Sequence, residues 1–342
     1  MNHRNLDHKP NMSFVWRQLR SVARAALVPL VVLALAFAAS ASMAQETWPN
    51  RAIRIVVPTA PGVAPDIFAR LYAAELAKSL KVPVTVDNKP GAATIVAIDN
   101  VMKAPSDGYT VFYAFNAPFT MNPHLYARLP YDADKDMIPV TQTLKGAYFI
   151  LTGPNSPIRS IKDLVDQAKA TPDKLSYASY GVGSAAHLAL ALIEERAGVR
   201  ALHVPYKNSA VPDVISGVVT VTTEPNGSAI PFIQSGQVRA LAYLGPQRHP
   251  LLPNVPTVSE TLPGYEVTGW HGAWVRSGTP RDIVDRLYVE FARITRSADM
   301  QKRMADVGFE PSFTSPAETL AIIRRESTEW GTLIRSRGIK AD

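Results

Sequence analysis

The sequence predicts an α/β fold of two domains, with mainly parallel sheets flanked by helices. Two observations lead to this fold class. Short runs of β-branched and other apolar residues alternate with segments of helical periodicity, which is typical of strand–helix–strand units with parallel strands. The alternation restarts near residue 147, and the chain, with 342 residues of which 46% are apolar, is long enough to form two cores.

The first 44 residues have the three parts of a signal peptide. Basic residues up to Arg24 precede a charge-free apolar run at residues 25–39, and small residues around Met43 form a cleavage site. A membrane anchor is the alternative, but the run is shorter than the roughly 20 residues that span a bilayer. We expect cleavage after Ala44 and export of the mature chain to the periplasm.

The predicted first domain begins with strands and helices in alternation. Ile53–Val57 is a short apolar strand, and the apolar residues of Asp66–Leu80 fall on one face of a helix. A strand at Val84–Asn88, a helix at Ala92–Lys103 and a strand at Tyr109–Phe115 follow. Parallel strands joined by helices therefore account for this part of the chain.

The predicted second domain repeats this alternation. Ser160 predicts a helix start, because its hydroxyl can accept a hydrogen bond from a free amide of the first turn. Another helix is predicted at Ser184–Ala197. The predicted strands are Tyr148–Thr152, Leu175–Ser179, Leu202–Pro205, Val218–Thr223 and Val238–Leu244.

The last part of the chain is predicted to return to the first domain. Ser315-Pro316 followed by Glu318 is a capping box that starts a closing helix. The proline-rich stretches Leu129–Val140 and Pro246–Pro256 are the predicted crossover regions. We therefore expect a discontinuous first domain, residues 45–146 and 247–342, and a second domain at residues 147–246.

Composition and motifs exclude several classes of function. The chain has no cysteine, which excludes disulfides, thiolate nucleophiles and zinc–thiolate sites. The formal net charge of +7 falls to about +3 without residues 1–44, so there is no electrostatic reason to expect nucleic-acid binding. No metal-ligand spacing and no phosphate-binding loop is present. We expect no metal, no cofactor and no nucleic acid.

One catalytic alternative stays open. Ser184 and His187 could share one face of a helix, as in a secreted serine hydrolase of carboxylate esters. In the simpler interpretation Ser184 caps the helix and His187 lies in its first turn. The sequence favours the simpler one, because the Gly-x-Ser-x-Gly pattern of a nucleophile elbow is absent.

Two strand-to-helix turns are suited to binding an anion. One spans residues 58–66 and the other residues 177–184, and each leads into a helix N-terminus with free amide groups. In open α/β sheets, ligands bind beyond the carboxyl ends of the strands. Gly62, Gly181 and Gly183 let the backbone approach a ligand closely. Because one turn lies in each predicted domain, a carboxylate could be held from both sides of a cleft.

The sequence also resembles a known family of receptors. The segments that carry the resemblance include Ile53–Pro58, Ala60–Gly62, Val86–Ala92, Lys103–Thr110, Asn122–Tyr126, Tyr177–Ser179, His203–Lys207 and Val255–Val258. They are similar to Bug-family receptors, the periplasmic solute-binding proteins of tripartite tricarboxylate transporters. The resemblance covers essentially all of residues 47–340.

The resemblance implies the Venus-flytrap fold of type II periplasmic binding proteins, without enzymatic activity. Such receptors bind a small carboxylated solute in the interdomain cleft and hold one carboxylate through backbone groups and water from the two turns. They close by a hinge motion. The implied partners are the solute and either a membrane permease of the transporter or a sensor, and we expect a monomer.

The sequence departs from the family pattern near the turns. Val63 and Pro65 are bulkier than the small residues and Thr or Ser that are usual in the first turn. Ala93-Thr94 stands where the family usually has glycines. The added apolar surface favours an aromatic or longer-chain carboxylate over a small hydroxy- or amino-dicarboxylate.

The residues expected to contact the ligand come from the two turns and from nearby strand ends. Asp66 also has a capping role as its alternative. The predicted ligand-binding residues are Pro61, Gly62, Val63, Ala64, Asp66, Asn116, Tyr180, Gly181, Gly183, Ser184, His187, Tyr206 and Asn226.

Overall fold

The computed structural model describes residues 48–172 and 174–341. The predicted signal peptide at residues 1–44 lies outside the described residues. From Arg51 onward the chain forms one compact unit. Among the helices of the described ranges, none has the length and apolar character of a bilayer span.

Strands and helices alternate along most of the chain. The strands are β1 (Ile53–Val57), β2 (Val84–Asn88), β3 (Thr110–Phe115), β4 (Met137–Thr152), β5 (Ser176–Ser179), β6 (Leu202–Pro205), β7 (Val221–Pro225), β8 (Arg239–Tyr243), β9 (Thr268–Arg276) and β10 (Glu310–Pro311). The helices are α1 (Ala64–Leu80), α2 (Ile95–Met102), α3 (Ala117–Thr120), α4 (Asn122–Leu125), α5 (Ile161–Ala170), α6 (Ala185–Ala197), α7 (Val211–Ile215), α8 (Asn226–Gln234), α9 (Arg281–Thr295), α10 (Ala298–Asp306) and α11 (Pro316–Ser336).

Two groups of parallel strands are the centre of the fold. In the first group β1 pairs with β2 on one side and β3 on the other, and in the second group β5 pairs with β6 and β7. Helices follow these strands and cover the sheet. The predicted α/β fold class is therefore confirmed, and each group has its carboxyl strand ends at one edge.

A single long strand, β4, joins the two groups. Residues 137–147 pair antiparallel with β9, and residues 148–152 pair antiparallel with β7 and β8. The sequence predicted only the second part as a strand and assigned Leu129–Val140 to a crossover. The strand in fact begins at Met137, because Pro139 lies at a register shift where the strand tolerates a proline. The assignment of Leu129–Val140 to a crossover between domains stays a prediction.

The two long strands carry a glycine pair where β4 passes from one group to the other. Gly146 of β4 lies opposite Gly269 of β9. A Cβ on Gly146 would lie 2.7 Å from the Phe309 ring, and a Cβ on Gly269 would lie 3.3 Å from the Tyr148 hydroxyl. The Phe309 ring therefore leaves no room for a larger residue at Gly146, where β4 passes from β9 to β7 and β8.

The closing helix starts at the predicted capping box. The Ser315 hydroxyl accepts from the Glu318 amide (3.2 Å), and the Glu318 carboxylate accepts from the Ser315 amide (2.8 Å). Helix α11 then packs against α3, α4 and β4. The predicted division into two domains stays a prediction.

The predicted helix at Ala92–Lys103 begins later than expected. Ala92–Thr94 form a single 3₁₀ turn, and Ala93 (φ 48°) and Thr94 (φ 81°) have left-handed backbone conformations. These conformations favour glycine, so the helix proper starts only at Ile95.

We expect Gly146→Ala to lower the free energy of unfolding by about 1–3 kcal/mol, because the methyl group would overlap the Phe309 ring. Gly227→Ala is the matched control: its Cβ would be 3.7 Å from its nearest neighbour, within α8. Alanine has the higher helix propensity, so this variant should be neutral or stabilised by up to about 1 kcal/mol. Denaturant unfolding of both variants tests this, and equal stabilities would contradict it.

Candidate functional site

The first turn presents free amide groups at the carboxyl end of β1. Gly62 (φ 87°) turns the chain, and Val63 is the N-cap of α1 without a capping side chain. Within the described structure, the amides of Val63, Ala64 and Asp66 carry no hydrogen bond. A Cβ on Gly62 would meet nothing within 4 Å, so the turn faces open space. Pro61 precedes it and is exposed.

Asp66 fixes the shape of this turn. Its carboxylate is buried and accepts hydrogen bonds from the Gly62 amide (2.9 Å), the Arg70 guanidinium (3.0 Å) and the Asn88 amide group (2.9 Å). Burial alone would raise the pKa of Asp66, but these donors outweigh it and lower the pKa. The structure thus uses Asp66 to hold Gly62 in place.

The second turn is held by its own cap. Ser184 is the N-cap of α6: its hydroxyl accepts from the His187 amide (3.2 Å) and donates to the Gly181 carbonyl (2.8 Å). Gly181 (φ 103°) and Gly183 (φ 77°) are both left-handed. In the described residues, the amides of Val182, Ala185 and Ala186 carry no hydrogen bond. This turn therefore offers the same kind of anion site as the first one.

The His187 side chain holds the second turn through a hydrogen bond. Its Nδ1 accepts from the Gly183 amide (3.0 Å), and its ring stacks on His203 with 3.9 Å between centroids. Burial and the neighbouring His203 lower the pKa of His187 to about 3. A neutral ring is required at this nitrogen, because a protonated Nδ1 could not accept the amide hydrogen.

Gly183 also lies close to helix α4. A Cβ there would lie 2.7 Å from the Leu125 side chain of α4. A Cβ on Gly181, by contrast, would meet nothing within 4 Å. Within the described ranges, no hydrogen bond joins the first turn to the second.

The structure adds a residue that sequence reasoning missed. Glu224, in β7, is fully buried and accepts a hydrogen bond from the Tyr180 hydroxyl of the second turn. The only sequence signal was an acidic residue at the end of an apolar strand. Tyr180 itself is 40% exposed.

Three predicted residues at strand ends have their polar groups bonded to other parts of the protein. The Asn116 amide donates to Glu326 of α11 (2.9 Å). The Tyr206 hydroxyl donates to Asp213 (2.6 Å). Asn226 is fully buried and donates to the Gly308 carbonyl (2.6 Å), while its own Oδ1 has no partner among the described atoms. The structure brings none of the three to either turn by a hydrogen bond.

The free hydrogen-bond donors of the two turns indicate which kind of ligand they can bind. Each turn gathers free amides at a helix N-terminus, where the helix dipole favours negative charge. Two further hydroxyls near the carboxyl ends of β1 and β2, those of Thr59 and Thr94, are buried and without a partner in the described structure. No group of three metal-ligating side chains is found among the residues described. The site is therefore suited to binding an anion.

The Ser184–His187 alternative lacks the geometry of a nucleophile and base. The serine proton goes to the Gly181 carbonyl, and the His187 Nδ1 is occupied by the Gly183 amide. The hydroxyl contacts the histidine backbone rather than its ring.

Comparison with known proteins identifies the family. Residues 68–339 match the tripartite tricarboxylate transporter family receptor, and the chain belongs to this family. A protein encoded in the tcbD–tcbE intergenic region of Pseudomonas sp. strain P51 is 36% identical over 89% of this chain and 92% of its own. BugT of Bordetella pertussis is 32% identical over 88% and 94%. The resemblance to Bug receptors is thus confirmed.

Solved structures agree with the fold. Rpa4515 of R. palustris, solved with adipate, is 30% identical with a TM-score of 0.78 and covers 86% of this chain and 99% of its own. MatC of Rhodopseudomonas palustris, solved with bound malate, is 27% identical with a TM-score of 0.74 over 84% and 100%. The family is one of receptors, and the periplasmic binding protein BugD is 30% identical with a TM-score of 0.74 over 86% of this chain and 99% of its own, so the chain is a receptor and not an enzyme.

Glu326 makes the stability of the protein depend on pH. It is buried and accepts from the Trp270 indole (2.9 Å) as well as from Asn116. Burial raises the pKa of Glu326 to about 7, against 4.5 for an ordinary glutamate, although both donors lower it. Between these values the folded protein holds a proton that the unfolded chain has lost, so stability falls as the pH rises.

We expect this one group to remove about 3 kcal/mol of unfolding free energy between pH 4.5 and pH 7.5. Glu326→Gln should abolish that slope and be the more stable protein at pH 8, because one carbonyl oxygen can accept from both Asn116 and Trp270, as Oε2 does. Urea unfolding across this range measures the difference. Glu329→Gln, on the same helix but exposed, is the control. Parallel curves for wild type and Glu326→Gln would refute the assignment.

Proposed function

We propose that this receptor captures a small carboxylate and holds it on the free amides of the two turns. One observation carries the proposal: each turn has backbone amides without hydrogen-bond partners beside a glycine that faces open space. One such turn lies in each group of parallel strands. A carboxylate would supply the missing acceptors, directly or through water. The neighbours solved with adipate and malate support this class of ligand.

The ligand is proposed to have an apolar body. Val63 and Val182, one in each turn, are 45% and 44% exposed. Apolar side chains at these positions would gain by covering apolar ligand surface, at about 25 cal/mol per Å² removed from water. An aromatic or longer-chain carboxylate fits this better than a small, highly polar one.

Closure of two lobes around the ligand is part of the proposal. The lobes are residues 45–146 with 247–342, and residues 147–246. The boundary near residue 147 coincides with the passage of β4 from β9 to β7 and β8, beside Gly146. A ligand that contacts both turns would favour the closed form.

The receptor is proposed to work in the periplasm, after cleavage of residues 1–44. It would deliver the solute to the membrane permease of a tripartite transporter, or report it to a sensor. The family supports the first partner, since it is a family of receptors of tripartite tricarboxylate transporters.

A comparison of acids with their methyl esters tests the class of ligand. We expect adipate, benzoate or another acid of a carboxylate panel to raise the melting temperature at millimolar concentration, and the corresponding methyl ester to have no effect. Ligand at 100 times its dissociation constant should add about 2.7 kcal/mol of stability. A panel in which no acid stabilises the protein, or in which esters act equally well, would count against the proposal.

Proline substitutions test the two turns. Ala64 and Ala185 are the first residues of α1 and α6, where proline is tolerated, and each follows a cap with extended backbone (ψ 163° and 154°). Ala64→Pro and Ala185→Pro each remove one free amide, so we expect about tenfold weaker binding of the best acid by calorimetry.

Ala298→Pro is the matched control for these variants. Ala298 is the first residue of α10 after the cap Ser297 (ψ 141°), away from both turns. It should bind like the wild type. If all three variants bind equally well, the amides of the turns do not hold the ligand.

A further inference from the structure

A buried glutamate lies at the carboxyl edge of the second group of strands. Glu224 is the next-to-last residue of β7 and is fully buried. Two hydroxyls donate to its carboxylate, that of Tyr180 after β5 to Oε2 and that of Ser209 after β6 to Oε1 (2.8 Å). The Ser228 hydroxyl, in the first turn of α8, lies 3.2 Å from Oε2 and 3.0 Å from the Pro225 carbonyl, so its single proton is shared with that carbonyl. The cluster therefore joins the segments that follow three neighbouring parallel strands, where ligands of such sheets bind.

Glu224 differs from the other buried acids. Among the residues described, five acids are buried, and those that pair with arginine are Asp66, Glu194 and Glu290. Glu326 has no cation but is enclosed by buried donors. Glu224 likewise has no cation in the described structure, yet its partner Tyr180 is 40% exposed. Burial without a counter-ion raises the pKa of Glu224, and the hydroxyls that donate to it act against this rise.

The hydrogen bonds of Glu224 determine whether the Tyr180 hydroxyl can donate to a ligand or accept from it. The Tyr180 and Ser209 hydroxyls, one on each oxygen, fit a carboxylate that accepts at both oxygens. A phenol has one proton, and Tyr180 donates it to Glu224. The phenol oxygen can then only accept, and the carboxylate behind it makes it a stronger acceptor.

We propose that Tyr180, polarised by Glu224, selects carboxylates that carry a hydroxyl or amino group. This inference rests on the proposed function, in which the ligand carboxylate lies on the amides of the same turn. The ligand donor would bond the phenol oxygen of Tyr180, next to Gly181 and Val182. A second carboxylate at this position would be repelled, because it brings no hydrogen and adds like charge.

Matched ligands that differ only by a donor test the proposal. Calorimetry compares benzoate with 2-, 3- and 4-hydroxybenzoate, and 3-phenylpropanoate with phenylalanine. We expect at least one donor-bearing ligand to bind wild type tenfold or more tightly than its parent. In Tyr180→Phe that ratio should fall to about one, whatever the affinity of the parent. Tyr288→Phe, which removes a hydroxyl on α9, is the control and should keep the wild-type ratio.

Glu224→Gln tests the source of the selectivity, with circular dichroism to verify folding. Loss of the charge should lower the ratio between the affinity of the donor-bearing ligand and that of its parent. If carboxylates bind but the donor brings no gain, or Tyr180→Phe keeps the preference, the role of Tyr180 is refuted while the proposed function stands. If no carboxylate binds, the proposed function fails, and this inference fails with it.

Discussion

Helix geometry leaves the first amide groups of every helix without an internal partner, and the site proposed for this receptor depends on that constraint. At four of the described α-helix starts a serine side chain accepts from one of these amides, namely at Ser160, Ser184, Ser297 and Ser315. The first turn has no capping side chain at Val63, and the second uses Ser184 for only one amide. The remaining donors are available to a ligand, in an arrangement that needs no charged side chain.

Each turn is held in shape by a hydrogen bond from a glycine amide to one side chain. Asp66 fixes Gly62 through an amide hydrogen bond, and His187 fixes Gly183 in the same way with a ring nitrogen. The first is a carboxylate whose pKa is lowered by its donors, and the second is an imidazole that burial keeps neutral. Both therefore stay in the form that accepts a hydrogen bond at neutral pH. Preorganisation of this kind reduces the entropy lost when a ligand binds.

The strands β4 and β9 connect the sheet region of the first turn to that of the second. β4 pairs with β7 of the second group and with β9, which pairs with β3 of the first, so these hydrogen bonds set where the first turn lies relative to the second. Phe309 and Asn226 pack closely against Gly146, so the part of β4 between its two sets of partner strands has a fixed position. The buried acids Glu224 and Glu326 accept from different elements, and we propose different consequences for them: selectivity at Tyr180 for one and pH-dependent stability for the other.

The sequence by itself determined the features that depend on neighbours along the chain. The strands β1, β2 and β6, the caps Ser184 and Ser315 and the two glycine turns were predictable, because periodicity and capping act over a few residues. Only the tertiary structure decided the long-range pairs: Tyr180 and Glu224 are 44 residues apart, and Asn116 and Glu326 are 210 apart. The length of β4 was also set by its partners, since Pro139 and a run of polar threonines and glutamine hide a strand that β9 stabilises through hydrogen bonds.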